Sequence, residues 1–267
     1  DSSSHDNMSF LEHLEELRWH IIRSLIAIIS AGFICFLMKD FIFDTIIFGP
    51  KKMDFPTYKF LCQAATFIGV ETTFCGDEFP FTVQNRTMAG QFSAHVMTSI
   101  ISGFIISFPY ILYEFWKFIS PGLLEKEKAK SRGFIFISSL LFFIGVLFGY
   151  YIISPLSINF LGTYQVSSQV LNEIDLGSFI SLVRSSAIAS GIIFELPIII
   201  YFLTKAGVVT PESLVKYRKY ALVLVLVLAA IITPPDVASQ IIVAIPIVVL
   251  YQVSIFISRI VVKNQAK

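Results

Sequence analysis

The sequence predicts an all-α integral membrane protein with six transmembrane helices. Hydrophobic residues make up 55% of the 267 residues and charged residues only 15%, whereas soluble domains carry about 25% charged residues. Several segments also reach the length of about 20 mainly apolar residues that a helix needs to cross a bilayer. The proline pair Pro234 and Pro235 marks a turn between the last two apolar segments.

Four apolar segments are long enough to span a membrane, and two shorter ones follow. The first three are almost free of charge in their interiors, and the fourth contains Arg184 and Glu195. The fifth has about 13 residues and reaches only about 20 Å, so we expect the fifth and sixth helices to be short. The predicted spans, within a single membrane domain of residues 1–267, are 19–38, 95–116, 133–156, 179–203, 220–232 and 241–257.

The distribution of lysine and arginine predicts the orientation of these spans. With the N-terminus inside, most of the 20 basic residues fall in inner segments, and the others lie in one long outer loop, residues 39–92, and at Arg184. Inner loops of membrane proteins are enriched in basic residues, so both termini are expected in the cytoplasm. The net charge of +1 provides no basic patch that would favour binding of nucleic acid.

The long outer loop is predicted to contain structure of its own. It holds Cys62 and Cys75, two of the three cysteines, in a compartment where disulfides persist. We expect a bridge between them that contributes on the order of 3 kcal/mol. The alternative is a pair of buried free thiols, and Cys35 in the first span is interpreted as a packing residue.

An amphipathic helix is predicted to begin before the first span, since Ser9 and Glu12 form a capping-box pattern. Helical periodicity places Glu12, Glu15 and Glu16 together on one face at the cytoplasmic surface. Glu12 is the natural partner of Ser9 in the cap. For Glu15 and Glu16 the alternative to a functional role is a solvated face with local partners such as Arg18 and His20.

The first inner loop runs through FISPGLLEKEK, residues 118–128. The Pro121-Gly122 break predicts a rigid turn that would hold Glu127 near the membrane surface. The alternative is an exposed run in which Glu125 and Glu127 are balanced by neighbouring lysines.

Glu195 lies well inside the fourth predicted span, two residues before Pro197. An ionisable group there costs about 2.5 to 3.5 kcal/mol on insertion scales, so it should face the protein interior or water. Pro197 lacks a backbone donor, which predicts a kink at the same place. The alternative role for Glu195 is a protonated acid bonded to a freed carbonyl or a serine.

A polar segment, TPPDVASQ at residues 233–240, separates the last two spans. Thr233 and Gln240 are candidates for hydrogen bonds to a partner helix in lipid, where such contacts contribute about 0.6 to 2 kcal/mol. The alternative is a well-formed outer turn.

Signatures of enzymes, metal sites and cofactor sites are missing from the sequence. The four histidines have no metal-binding spacing, and there is no nucleophile elbow, phosphate-binding loop or dinucleotide fingerprint. We therefore expect no catalytic activity, no metal and no cofactor. The intramembrane Glu195 leaves open a secondary transporter of a small solute with a proton relay, although that class would favour internal repeats, which the sequence lacks.

Four motifs follow one another along the chain: FLEHLEELR at 10–18, FISPGLLEKEK at 118–128, FELP with KAGVVTPESLVKYRKY at 194–220, and TPPDVASQ with AIP at 233–246. In this order and spacing they resemble the TatC family, the multi-spanning receptor subunit of the twin-arginine protein translocase. The resemblance covers the chain from end to end except for the outer loop around residues 51–86. In two positions the chain departs from the family pattern, with His20 in place of a frequent second basic residue and Gln252 in place of a frequent acid.

The resemblance implies a receptor that binds paired-arginine signal peptides at its cytoplasmic face for export of folded proteins driven by the proton-motive force. It implies a glove-shaped, concave bundle in the bacterial cytoplasmic membrane. It further implies a multimeric complex with single-span partners of the TatA and TatB type, in contact with membrane lipid.

The resemblance also implies roles for individual residues. Glu16 and Glu127 would be the carboxylates that meet the two arginines, and Glu195 the intramembrane acid on the concave side. Arginine suits such a site because its planar guanidinium pairs with a carboxylate through two hydrogen bonds. The remaining residues are assigned to the signal-peptide surface (Arg18, Phe118, Pro121, Leu123), to partner-helix docking (Thr233, Gln240) and to the outer face (Pro50, Asp236).

Overall fold

The computed structural model describes residues 10–69, 75, 76, 78–119, 131–167, 169–232 and 237–265. These residues form mainly helices, connected by short turns. In chain order the helices and strands are α1 Phe10–Leu37, α2 Pro56–Ile68, β1 Phe81–Gln84, α3 Gly90–Ile119, α4 Ser131–Phe148, α5 Ser154–Thr163, β2 Asn172–Asp175, α6 Leu176–Phe194, α7 Leu196–Lys205, α8 Pro211–Lys216, α9 Arg218–Ile232 and α10 Val237–Gln265.

Five helical stretches of the described chain are long and apolar enough to cross a membrane, which confirms a multi-pass membrane protein. They match the first four predicted spans and the last one. The remaining predicted span corresponds to α9, whose 15 residues extend about 22 Å, so a sixth crossing stays a prediction. The five stretches are Leu14–Leu37, Gly90–Ile119, Gly133–Thr163, Leu176–Lys205 and Ser239–Asn264.

The prediction of a short sixth helix is wrong, because α10 contains 29 residues. Hydropathy detects only the apolar centre of a helix, and here polar residues continue the helix at both ends. Ser239 and Gln240 lie in its first turn, and Arg259 and Lys263 lie in its last two turns. Pro246 lies inside α10 without ending it.

Large apolar side chains cover the outside of these long helices. In α1, for example, Ile29, Phe33 and Leu37 are each more than 60% exposed. A soluble monomer rarely exposes a continuous apolar surface of this kind. Lipid is the solvent that such a surface requires.

One compact unit comprises residues 1–39 and 95–140 and contains α1, α3 and the first half of α4. Gly32 and Gly103 lie where α1 and α3 pack, and a Cβ added to Gly103 would lie 2.5 Å from the backbone nitrogen of Gly32. The Ser107 hydroxyl donates to the Ala27 carbonyl across the same contact at 3.0 Å. Small residues therefore allow the two helix backbones to approach closely, as is common in membranes.

The second compact unit comprises residues 40–94 and 141–267. Its apolar centre joins the end of the third long helix to α9 and α10 through Ile153, Val225 and Val243. Buried hydroxyl groups add polar links, and Thr204 of α7 donates to Ser258 of α10 at 2.9 Å.

The predicted outer loop is structured where it is described. A π-helical segment, Phe41–Ile47, leads through a short 3-10 turn, Gly49–Lys51, to α2, and a disulfide joins Cys62 to Cys75, with 5.1 Å between their Cα atoms. Pro50 is buried in the 3-10 turn.

Two short strands depart from the all-α prediction. β1 in the outer loop pairs in parallel with β2, which precedes α6, with Phe81 opposite Asn172. The pairing joins the loop to the start of the fourth long helix, and an exposed ion pair between Arg86 and Glu173 lies beside it at 3.2 Å. Strands of four residues give no recognisable alternation in the sequence, which is why they were not predicted.

Candidate functional site

The acidic face predicted at the start of α1 has two kinds of glutamate. Glu15 is exposed and forms an ion pair with Arg18 at 3.3 Å, so the local alternative describes these two residues well. Exposed pairs of this kind contribute about 0 to 1 kcal/mol. The Glu15–Arg18 pair therefore adds little stability and does not fix the two side chains in one conformation.

Glu16 has a different environment. Its side chain is 35% exposed, and its Oε1 lies 4.0 Å from Nε2 of His20, which is too long for a hydrogen bond. Its Oε2 is buried and accepts no hydrogen bond from the described residues. A carboxylate oxygen that is shielded from water without a donor is unfavourable by itself. Glu16 is therefore suited to receive a donor from a ligand.

Glu114 of α3 is the principal site residue that sequence reasoning missed. Its carboxylate is 3% exposed, and its Oε2 lies 2.6 Å from Nδ1 of His20 and 3.8 Å from Nη1 of Arg23. His20 is itself 6% exposed. Glu114 was missed because the second predicted span was interpreted as almost free of charge. An acid inside a span requires a partner. His20 and Arg23, spaced three residues apart on the first span, are the basic residues that could have indicated such a partner.

The other residues assigned to the signal-peptide surface are only partly described. Phe118 is half-buried in the last turn of α3, with its ring edge-on to His20 at a centroid distance of 6.0 Å. Pro121, Leu123 and Glu127 lie outside the described residues. The structure thus places Phe118 against His20, the neighbour of Glu16.

Glu195 lies at an interruption of the fourth long helix, between α6 and α7. Its side chain is 9% exposed. Its carbonyl accepts from the N–H groups of Ile198 at 2.9 Å and Ile199 at 3.0 Å, and Pro197 occupies the first turn of α7. The predicted kink therefore takes the form of a break at the acid itself.

Gln240 and Pro50, assigned to partner docking and to the outer face, belong to the second compact unit. Gln240 of α10 donates its amide to the Leu226 carbonyl of α9 at 3.1 Å. Pro50 accepts the Tyr58 hydroxyl at 2.9 Å. Thr233 and Asp236 lie outside the described residues. Within the described chain, no cluster of three or more His, Cys, Asp or Glu side chains is placed to hold a metal ion.

Comparison with known families decides the identity of this arrangement of helices. The family described as Sec-independent protein translocase protein (TatC) matches residues 12–246. The chain belongs to the TatC family. The recognition of TatC from its four motifs is thereby confirmed.

TatC relatives resemble the chain over almost its whole length. The protein from Blattabacterium sp. subsp. Periplaneta americana (strain BPLAN) is 46% identical and the one from Aquifex aeolicus (strain VF5) 36% identical, each over 97% of this chain and 98% of the relative. Both are named Sec-independent protein translocase protein TatC. The other class of function considered, a small-solute transporter, is not favoured by these relatives.

Two crystal structures described as the twin arginine translocase receptor TatC have the same fold. One aligns with a TM-score of 0.68 at 33% identity over 94% of this chain and 100% of its own. The second, in the detergent DDM, aligns with a TM-score of 0.70 at 36% identity over 92% of this chain and 98% of its own.

Proposed function

We propose that the chain is the signal-peptide receptor and core subunit of a twin-arginine translocase. In this role it binds paired-arginine signal peptides at its cytoplasmic face, and the proton-motive force drives export of the folded proteins that carry them. Membership of the TatC family supports the proposal, as do the solved relatives described as receptors. The role is binding and passage rather than catalysis.

The observation that carries the proposal is the unsatisfied carboxylate of Glu16. One oxygen is buried without a donor, and the other is out of hydrogen-bond range of His20. An arginine guanidinium supplies two parallel N–H donors, and each charged hydrogen bond contributes about 1.5 to 3 kcal/mol. A lysine ammonium cannot match both oxygens in the same geometry. Glu16 is thus the proposed ligand of one arginine, and Glu127 the ligand of the other.

Binding of a peptide to the purified protein in detergent tests this function. A fluorescent twin-arginine signal peptide and its twin-lysine version are titrated against wild type, Glu16→Gln and Glu127→Gln. We expect the arginine peptide to bind more tightly than the lysine peptide, and its affinity to fall at least about tenfold in each variant because one charged hydrogen bond or more is lost. Glu15→Gln is the matched control, since Glu15 lies beside Glu16 but is already paired with Arg18.

Equal binding of the two peptides by wild type would contradict the proposal. So would an equal loss of affinity in Glu15→Gln and Glu16→Gln, because a diffuse acidic surface would then explain the binding.

The proposed orientation places both termini in the cytoplasm of a bacterium, with six crossings of its cytoplasmic membrane. Basic residues support it, since Lys205, Lys216 and Arg218 lie around α8 on the same predicted side as Arg18 and Arg23. Single cysteines introduced in a Cys-free background test it with a membrane-impermeant thiol reagent. A cysteine at Gly207 should be labelled only after the cells are opened, and one at Gly177 in intact cells. The reverse labelling pattern would overturn the orientation.

Glu195 is proposed to supply intramembrane polarity needed for transport rather than for peptide binding. Its burial at a helix break supports a role in a polar, water-accessible region of the membrane. Glu195→Gln keeps the size and polarity of the side chain but replaces the ionisable carboxyl group with a neutral amide. We expect the variant to bind the signal peptide normally and to lose most export activity in cells that lack the wild-type protein. Normal export would contradict the role of the charge.

Single-span partners of the TatA and TatB type are proposed to dock on the segment that contains Thr233 and Gln240. Gln240 lies at the start of α10, where it already bridges to α9. Its amide oxygen is an acceptor that a partner helix can use in lipid.

A further inference from the structure

We propose that Glu114 is a positioning residue for the arginine site. By binding His20, it fixes the imidazole ring that lies beside the Glu16 carboxylate and limits where that carboxylate can lie. The inference rests on the proposed function, because Glu16 is taken as the ligand of a signal-peptide arginine. It concerns residues of α1 and α3 within one compact unit.

Glu114 and His20 are in direct contact. Oε2 of Glu114 lies 2.6 Å from Nδ1 of His20, and both side chains are at least 90% buried. Arg23 approaches the same oxygen at 3.8 Å, and a nearby cation favours the ionised carboxylate. An ionised carboxylate only accepts hydrogen bonds, so Nδ1 of His20 carries the proton that is shared with Glu114.

The contact at Nδ1 determines where Nε2 of the same ring points. Once Nδ1 donates to Glu114, the ring plane and the tautomer of the imidazole are fixed. Nε2 then faces Glu16, with 4.0 Å between Nε2 and Oε1. The edge-on ring of Phe118, 6.0 Å away, lies against the same imidazole.

The imidazole of His20 restricts the position of the Glu16 carboxylate. At 4.0 Å the imidazole limits where the carboxylate can lie but does not use its acceptor positions. His20 therefore does not occupy the acceptor positions of Glu16, and a guanidinium that reaches the buried Oε2 can pair with both oxygens. Outer partners that orient a binding group in this way commonly affect affinity by about 10- to 100-fold, as carboxylates do behind metal-binding histidines.

The competing explanation is that Glu114 and His20 only hold α1 against α3. That role would affect the stability of the unit and would weaken any ligand equally. A positioning role acts specifically on the bidentate geometry that arginine needs and lysine does not. The ratio of the two peptide affinities therefore separates the explanations.

The test uses purified full-length protein in detergent and titrates the twin-arginine and twin-lysine peptides against Glu114→Gln and His20→Asn. The glutamine retains an acceptor for Nδ1 but loses the charge. The asparagine places its amide near the position of Nδ1 but has no atom toward Glu16. We expect arginine-peptide affinity to fall about tenfold in each and lysine-peptide affinity to change little. Glu15→Gln is again the control.

A double-mutant cycle shows whether Glu114 acts through Glu16. We expect Glu114→Gln to have no further effect on arginine binding in the Glu16→Gln background. Imidazole nitrogen NMR of histidine-labelled protein gives an independent readout, with the His20 signals assigned by their loss in His20→Asn. The arginine peptide should shift the Nε2 signal of His20 in wild type and leave it unchanged in Glu16→Gln.

Several outcomes would overturn the inference. Parallel losses of both peptides, fully additive effects with Glu16→Gln, or an unshifted Nε2 signal would each leave Glu114 with a structural role only. Arginine-selective binding by wild type that is unchanged in both variants would refute the inference and leave the receptor function intact. If wild type does not distinguish arginine from lysine, the receptor function and this inference both fail.

Discussion

The Tyr58 hydroxyl lies 3.0 Å from the carbonyl oxygen of Pro155, a residue 97 positions later in the chain. The same hydroxyl lies 2.9 Å from the carbonyl oxygen of Pro50, and Tyr58 is completely buried. One side chain of α2 thus links the outer loop to the start of α5. Burial raises the pKa of this phenol above its usual range, so the hydroxyl remains a donor at physiological pH.

Replacement of Tyr58 by phenylalanine should destabilise the protein by about 1 to 3 kcal/mol, because the two buried carbonyl oxygens that share its one hydroxyl proton lose their donor. Thermal unfolding in detergent measures the change. Tyr164→Phe is the matched control, since it removes the same hydroxyl from a tyrosine that is 60% exposed. Equal melting temperatures for wild type and Tyr58→Phe would show that the link does not contribute to stability.

The Tyr58 hydroxyl also predicts a pH dependence of stability. The pKa of Tyr58 is raised in the folded state above the value of about 10 for an unfolded chain. Its contribution is therefore fully present below about pH 10 and decreases as the pH rises toward the folded pKa. We expect wild type to lose more stability than Tyr58→Phe between about pH 9 and 11. Parallel losses in the two proteins would contradict this assignment.

The disulfide between Cys62 and Cys75 predicts the number of reactive thiols. The third cysteine of the sequence, Cys35, is free and buried. Denatured protein should therefore take up one maleimide per chain without reductant and three after reduction, as measured by mass. Three labels without reductant would show that the bridge does not form.

Loss of this bridge should also destabilise the outer loop. Closure of a loop of 13 residues corresponds to about 3 kcal/mol in the chain-entropy account. The Cys62→Ser and Cys75→Ser double variant should therefore unfold at a lower temperature than wild type. Cys35→Ser, which removes a cysteine outside the bridge, is the control.

The close contact of α1 with α3 predicts a strong effect of a single methyl group. A Cβ at Gly103 would lie 2.5 Å from the Ile28 carbonyl oxygen and from the Gly32 nitrogen. Backbone atoms cannot move aside locally, so Gly103→Ala should cost about 1 to 3 kcal/mol. Gly133→Ala is the matched control, because a Cβ at Gly133 meets nothing within 4 Å. Equal thermal stability of the two variants would contradict the close packing.

Hydropathy was enough to predict most of this fold, because an apolar run of membrane length has few alternatives to a spanning helix. It failed where polar residues continue a helix, as at Ser239 and Arg259 in α10. The parallel pairing of β1 with β2 joins segments about 90 residues apart. No local pattern specifies such a pairing, since its partner is brought close only by the packed helices.

The candidate site was predicted only in part for a similar reason. Glu16 followed from the family motif and from the helical face of α1. Glu114 did not, because its importance comes from His20 and Arg23, which lie about 90 residues earlier. An acid near the end of an apolar run is easily attributed to the membrane surface, and only the packing of α1 on α3 shows that it is buried.

Gln240 is expected to affect binding of a partner helix more than the stability of the protein. Its amide donates to the Leu226 carbonyl at 3.1 Å, and interhelical hydrogen bonds of this kind contribute about 0.6 kcal/mol on average in membranes. Gln240→Leu should therefore change the melting temperature only slightly. If Gln240 also accepts from a partner helix, co-purification with a single-span TatA or TatB type protein should fall several-fold.

Gln252→Leu is the matched control for this change, since it makes the same substitution at an exposed position of the same helix. The control should leave both the melting temperature and the co-purified partner unchanged. Equal losses of partner in the two variants would indicate a general effect of added apolar surface. An unchanged partner yield with Gln240→Leu would restrict Gln240 to the contact between α9 and α10, and the docking surface would then have to lie elsewhere.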